Sequence, residues 1–258
     1  MKPLRILLVN EKGCFDPGII ALAKVLSARH RVVIVAPLSP MAGVSHSLTT
    51  DRPVRATQFN ALNRVKIFGV NGTPCDCVGL ALDKLLKAKP DLIISGIDHH
   101  HNRGETIYSS GVVSSAISGT LHGVRSIALS ASVANPKQER GFLSVARAFA
   151  KKLNYFVTNI PADTTLNVNY PTKFQSSKIK TTHLTTGMVD NTYRHEINPF
   201  GREFYWMEND VMGHGLECLE QRGDVYWLKQ DHITLTPLKY DLTCDAGFDF
   251  LTKLNITL

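Results

Sequence analysis

Asp98 is followed directly by His99, His100 and His101. A carboxylate next to imidazoles is a donor set for Zn²⁺ or another transition metal. Three consecutive side chains cannot all turn to one point, so the run supplies one or two ligands at most, and a polar loop at a strand end is the preferred reading. Ser110 and Gly111 stand before an apolar stretch that reads as a helix. Backbone amides at such a start bind an anion without any metal. Near the beginning of the chain, Asn10-Glu11-Lys12-Gly13 sets a carboxylate beside an ammonium, and a lysine can hold phosphate as a point charge. His46 lies between Ser45 and Ser47, but sequence neighbours rarely reach nucleophile–base geometry, so no catalytic pair is expected there. Asp76 opens another helical stretch and is expected to cap or order a loop rather than act as an acid. Five cysteines, Cys14, Cys75, Cys77, Cys218 and Cys244, form an odd, scattered set. Cys75 and Cys77 lack the C-x-x-C spacing of many zinc sites, and buried reduced thiols are expected.

Distant loops can meet only if the elements between them bring them together. Leu4–Val9, Arg31–Pro37, Val65–Val70, Leu92–Ile97 and Arg125–Ser130 are short, almost unbroken apolar runs, as in strands covered on both faces. Helical patterns separate them: Pro17–Ala28 with proline in its first turn, Cys75–Lys87, Gly111–Leu121 and Gln138–Phe156. Strand–helix alternation predicts parallel βαβ units in a doubly wound, Rossmann-like α/β sheet through about residue 160. Ligands of such sheets bind beyond the carboxyl ends of the strands. That rule selects the loops Asn10–Asp16, Pro37–Thr50, Gly72–Asp76 and Gly96–Gly111. Residues 161–258 make up the rest of the chain: after Leu166–Pro171 the texture changes, and Thr181 to Leu238 holds short strand-like pieces with many threonines and aromatics. This part is expected to be a β-rich extension of the same single domain, 1–258, with hairpin arms that need a partner subunit.

At 258 residues and 43% hydrophobic content, one sizeable core is the default. No run of ~18 apolar residues reads as a membrane helix. The first ten residues read as a strand rather than a signal peptide, which leads us to expect a cytoplasmic protein. The net charge of +7 comes from dispersed Lys and Arg, not from a basic run. With no RNA-recognition signature, zinc finger or basic helix, a solvated basic surface is preferred to specific nucleic-acid binding.

Several segments, in order, resemble the SurE-like (survival protein E) phosphatase family. Asn10-Glu11-Lys12-Gly13 stands where the family has N-D-D-G, and Val35-Ala36-Pro37-Leu38-Ser39 where it has V-A-P-D-R. Ala42-Gly43-Val44-Ser45-His46-Ser47-Leu48-Thr49 is similar to S-G-x-x-x-S-I-T. Gly72-Thr73-Pro74-Cys75-Asp76-Cys77-Val78 resembles G-T-P-A-D-C-V, and Pro90 to Asp98 resembles P-D-L-V-V-S-G-I-N. Ser109-Ser110-Gly111-Val112-Val113 is similar to Y-S-G-T-V. Pro199 to Trp206 looks like D-P-R-G-R-x-x-Y-W, and Leu235-Thr236-Pro237-Leu238 like I-T-P-L. Together these span nearly the whole chain.

The resemblance implies a divalent-metal-dependent phosphomonoesterase for nucleoside monophosphates, with Mg²⁺ or Mn²⁺ on oxygen ligands and a homodimeric or homotetrameric assembly. The family's metal ligands are both Asp of N-D-D-G, the Ser of S-G and the Asn of S-G-I-N; they fall on Glu11, Lys12, Ala42 and Asp98. None keeps the family residue. Glu11 and Asp98 still offer carboxylate oxygens, whereas Ala42 has lost a hydroxyl. Lys12 opposes a divalent ion by several kcal/mol at ~4 Å and an effective dielectric near ~20. Glu11, Lys12 and Asp98 are therefore the candidate catalytic residues, with Glu11 and Asp98 as remaining metal ligands. Gly43, Ser47, Ser110 and Gly111 are the candidate phosphate contacts, while Val112, Leu38 and Ser39 depart from the family pattern. One expectation is a phosphatase with weak activity. The alternative is an inactive relative that binds phosphorylated ligands or partners other subunits. Lys12 is expected either to pair with Glu11 or Asp98 in the vacated metal position or, slightly less favoured, to bind phosphate directly.

Overall fold

The structure is a computed structural model describing residues 2–174, 178–186, 192–208 and 221–248. Its centre is β1 (Arg5–Val9), hydrogen-bonded in parallel to β2 (Arg31–Pro37) on one side and to β5 (Leu92–Asp98) on the other. β4 (Val65–Val70) extends the sheet beyond β2; β6 (Ser126–Ala131) and β7 (Thr165–Tyr170) extend it beyond β5, all in parallel. Side chains of β1 alternate between two cores. Ile6 and Leu8 join the cluster under α1 (Pro17–Leu26) and α4 (Glu139–Asn159). Leu7 and Val9 join the cluster beneath α2 (Pro74–Leu80), beside which α3 (Gly111–Leu121) packs on the same face. The unbroken apolar run of β1 is thus explained by burial on both faces, each large aliphatic contributing about 2 kcal/mol.

The expected mostly parallel, doubly wound sheet is what the chain forms, with three additions at its edges. β3 (Ala56–Leu62) runs antiparallel to β4 on the outer edge. Its half-exposed residues gave no apolar run to read. On the other edge β11 (Ile233–Leu238) runs antiparallel to β7, and β8 (Ile179–Thr181) closes the nine-stranded order. β7 likewise carries no unbroken apolar run, because the buried Asn167 and Asn169 interrupt its hydrophobic pattern. The helix expected over Cys75–Lys87 instead ends as α-helix at Leu80 and continues as one wide turn, Ala81–Leu85. A separate antiparallel ribbon, β9 (Thr192–Ile197) with β10 (Glu203–Glu208), forms a hairpin where arms were expected. Its Tyr193, Ile197, Tyr205 and Trp206 are exposed. The short α5 (Asp224–Lys229) follows before β11.

Cys14, Cys75 and Cys77 are buried free thiols, as expected; Cys244 is exposed, which corrects that expectation, and Cys218 lies outside the described residues. Among the described residues, no helix is long and apolar enough to cross a membrane.

Candidate functional site

The carboxyl ends of β1 and β5, together with the head of α3, enclose a charged cluster. Glu11 lies two residues beyond the end of β1 and is 4% exposed. Its Oε2 accepts the Gly111 backbone N–H at 2.7 Å. Its Oε1 lies 3.2 Å from Lys12 Nζ, and the same ammonium lies 3.9 Å from Asp98 Oδ1. Asp98 ends β5 and is 3% exposed. The structure therefore brings Glu11, Lys12, Asp98 and Gly111 together, and Lys12 pairs with both carboxylates.

Local rules hold these side chains in place. α1 begins close behind the cluster: Asp16 caps it by accepting the Gly18 N–H at 2.8 Å. A Cβ on Gly18 would meet the Ile97 carbonyl oxygen at 2.2 Å, so the residue must be glycine for β5 to end where it does. α3 is capped by Ser110, whose Oγ accepts the Val113 N–H at 3.1 Å. That use of Ser110 is structural. The loop carrying Ala42, Gly43 and Ser47 is tied to the cluster by its backbone. Met41 N–H donates to the Glu11 carbonyl at 2.7 Å, and Ser45 N–H to the Ser109 carbonyl at 3.1 Å. Ala42, Gly43 and Ser47 are themselves exposed, and Val112 is buried in the core.

Burial dominates the electrostatics. It pushes the Glu11 carboxyl above the ordinary range, helped by the nearby Asp98; Lys12 and the Gly111 amide pull in the other direction without prevailing. Asp98 is likewise raised by burial, with Lys12 the largest opposing influence. Asp16 is raised too, first by burial and further by Asp98. The His99 imidazole, half-buried and near His100 and Lys12, is pushed down to about 4 and is neutral at neutral pH.

The histidine run divides. His99 Nδ1 is 3.7 Å from Asp98 Oδ1, and the rings of His99 and His100 lie with centroids 4.0 Å apart. His101 turns elsewhere, its Nε2 bonding the Tyr170 carbonyl at 2.9 Å. Asp76 plays the expected ordering role. It completes a capping box with Thr73 and accepts from Thr49 N–H at 3.0 Å and Thr49 Oγ1 at 2.6 Å. Burial raises its pKa, but the Thr49 and Thr73 hydrogen bonds together hold it below the usual carboxylate range. Ser45 donates to the Tyr108 carbonyl at 2.5 Å, so it is not activated by His46.

Two buried asparagines near these loops are not among the candidate site residues, although Asn10 keeps the Asn of the family's N-D-D-G. Asn10 and Asn102 are 1% and 4% exposed, and the side-chain NH₂ of each finds no acceptor. Asn102 is otherwise tightly held: its N–H donates to Asn169 Oδ1 at 2.9 Å and its carbonyl accepts from Asn167 at 2.7 Å. A cavity of about 740 Å³ adjoins the Ser45–His46 loop and is lined in part by Tyr108, Leu184, Leu238 and Leu242. It does not contain the charged cluster, and its lining is mainly apolar.

Comparison with known proteins places this arrangement. Residues 6–194 match the family described as survival protein SurE. The chain is similar to the 5′-nucleotidase SurE of Thermoanaerobacter sp. (strain X514), 34% identical over 257 residues, covering 99% of this chain and 100% of that one. It is 37% identical over 260 residues to the 5′-nucleotidase SurE of Geotalea uraniireducens, covering 98% of this chain and 100% of the relative. Its fold is similar to the crystal structure of the SurE protein from Aquifex aeolicus, with a TM-score of 0.77, 33% identity and coverage of 98% and 100%.

Proposed function

The chain belongs to the survival protein SurE family, and on that premise we propose that it is a phosphomonoesterase of the nucleoside 5′-monophosphate type whose hard-metal position is filled by its own lysine. The observation that carries this reading is Lys12 Nζ between Glu11 Oε1 and Asp98 Oδ1. An ammonium there satisfies both buried carboxylates and offers no lone pair to a ligand or metal. Glu11 and Asp98 alone do not fit a Mg²⁺ or Mn²⁺ ion beside that charge, because the repulsion amounts to several kcal/mol at an effective dielectric of ~20. Phosphate is instead received by Lys12 as a point charge, with Gly43 and Ser47 on the exposed loop beside it; at the head of α3 the Gly111 and Val113 amides are already taken by Glu11 and by Ser110 Oγ, so a phosphate there competes with those contacts. Glu11 is the candidate base for attacking water, a role in which its Oε1 exchanges the Lys12 contact for that water. The adjoining cavity has the size and apolar lining to receive a nucleoside.

Hydrolysis of p-nitrophenyl phosphate and a panel of nucleoside monophosphates, with Mg²⁺, Mn²⁺, Zn²⁺ or chelator, tests the reading. The expected rate with Mg²⁺ or Mn²⁺ is at least about a hundredfold below that of the Thermoanaerobacter relative, since ~3 kcal/mol of lost transition-state stabilisation costs that much. Brisk Mn²⁺-dependent turnover would overturn it. A second reading, an inactive binder of phosphorylated ligands, is favoured because both Glu11 oxygens are engaged, Oε2 by the Gly111 N–H and Oε1 by Lys12, which leaves no free base. No hydrolysis under any condition, with saturable nucleotide binding, selects that alternative.

The β9–β10 ribbon supports an oligomer. A lone two-stranded ribbon is marginal in water, and Tyr205 and Trp206 on this one are 62% and 59% exposed. A homodimer or homotetramer that covers them is our expectation. Light scattering at micromolar concentration should give at least two subunits; a monomeric mass throughout that range would exclude the arms as an interface.

A further inference from the structure

The donor atoms of Asp98, His99 and His100 all lie within 4.8 Å of one another. Asp98 Oδ1 and His99 Nδ1 are 3.7 Å apart. In a tetrahedral site with ~2.0–2.1 Å bonds, donors stand about 3.4 Å from each other. The cluster thus needs only a small closing movement to meet around one ion. We propose that Asp98, His99 and His100 form a binding site for a borderline divalent transition metal, Zn²⁺ in particular, with one coordination position left open.

Four observations support this site. The donor set is one carboxylate and two imidazoles, which suits Zn²⁺ and its neighbours in the first transition series rather than Mg²⁺. The carboxylate is held from behind by the backbone, His100 N–H donating to Asp98 Oδ1 at 3.3 Å, as the outer contacts of metal sites hold their ligands. The site is graded in exposure. Asp98 is buried, His99 intermediate and His100 exposed, so an ion can reach the set from the His100 side. Finally, Lys12 sits nearer Glu11 than Asp98, at 3.2 Å against 3.9 Å, so the ammonium has a partner of its own when Asp98 turns to a metal. The His101 ring, bonded to the Tyr170 carbonyl, stays outside the set. The proposal rests on donor geometry and holds whether or not the chain hydrolyses phosphate esters. If it does, a metal here brings an open coordination position to the same cleft; Lys12 opposes that ion as it opposes Mg²⁺ or Mn²⁺, and the two imidazoles, which the Glu11–Asp98 pair lacks, offset that repulsion.

Co²⁺ provides a direct probe, because tetrahedral or five-coordinate Co²⁺ absorbs strongly in the visible whereas hydrated Co²⁺ does not. The full chain, stripped with chelator and titrated with Co²⁺ near pH ~7.5, should develop a visible spectrum that saturates at one equivalent and is abolished by Zn²⁺. His99→Ala and His100→Ala should each weaken Co²⁺ binding by at least about tenfold. His195→Ala, on the distant ribbon, should leave it unchanged. His100 is exposed, so its replacement separates loss of a ligand from loss of fold. The proposal is overturned if no stoichiometric spectrum develops, or if the spectrum survives His99→Ala and His100→Ala intact. A spectrum lost equally in His195→Ala also overturns it. Because the readout is absorbance, a negative result here leaves the phosphatase reading standing, and absence of hydrolysis leaves the metal site standing.

Discussion

Replacing Lys12 by Asp and Ala42 by Ser together should raise Mn²⁺-dependent hydrolysis of a nucleoside monophosphate by about a hundredfold or more, beyond the combined effect of the two single changes. Lys12 holds an ammonium 3.2 Å from Glu11 and 3.9 Å from Asp98. Exchanging it for a carboxylate turns a repulsion of several kcal/mol into an attraction of similar size for a divalent ion. Ser at position 42 adds a hydroxyl oxygen in the loop whose neighbour, Met41, bonds the Glu11 carbonyl. Both new ligands serve one ion, so their effects are coupled rather than additive. Without metal, Lys12→Asp packs three carboxylates together. Mn²⁺ should therefore raise the melting temperature of the double variant but not that of the unsubstituted chain. Isothermal titration with Mn²⁺ and steady-state rates on the four proteins of the cycle provide the measurement. Strictly additive single effects, or no gain in Mn²⁺ affinity, would count against the reading of position 12 as a former ligand.

Lys12→Met should destabilise the chain by about 3 kcal/mol at neutral pH, the usual cost of breaking a buried pair by removing one partner. The Lys12, Glu11 and Asp98 side chains are only 15%, 5% and 3% exposed, so water does little to compensate. The deficit should depend on pH with a definite sign. Burial already holds Glu11 and Asp98 above their unfolded values, and Lys12 is the largest influence pulling each down. A carboxyl raised in the folded state contributes stability that is present below its unfolded pKa and lost as pH rises through its folded one. Removing Lys12 lifts both folded values further and enlarges that loss. The variant should thus be weakest near pH ~7.5 and regain stability towards pH ~5, as the carboxyls take up protons. Chemical denaturation of both proteins at the two pH values checks this. A deficit that grows on acidification would show that the ammonium is not compensating buried charge.

The parts of this molecule visible in its sequence are those where one local rule dominates. β1, β2 and β5 are buried on both faces and read as apolar runs, and β4 does so apart from the exposed Lys66. α3 matched its expected span because Ser110 caps it and a glycine opens it. β3 stayed hidden because an edge strand with one wet face needs no apolar run, and β7 because Asn167 and Asn169 are buried for hydrogen bonding. At the site, topology predicted that the loops after β1 and β5 would meet, and the expected pairing of Lys12 with Glu11 or Asp98 is present with both. What could not be read was tertiary by nature. No rule of spacing says that Glu11 will reach across 100 residues to the Gly111 amide, or that His101 will part from its two neighbours.

The position of β1 also has a consequence for how the chain is made. A nascent chain leaving the ribosome exposes β1 before its neighbours, and β2 can cover one edge soon afterwards. The other edge belongs to β5, whose flanking Asp91 pairs with Arg5 across 86 residues of sequence. Until that segment emerges, a strand of Leu, Ile and Val offers an unpaired backbone edge, the kind of surface that recruits chaperones or aggregates. The Glu11 carboxylate waits longer still, for Gly111. On the ribosome the charged cluster therefore cannot be complete until Gly111 has emerged, and closure over so long a separation favours slow folding.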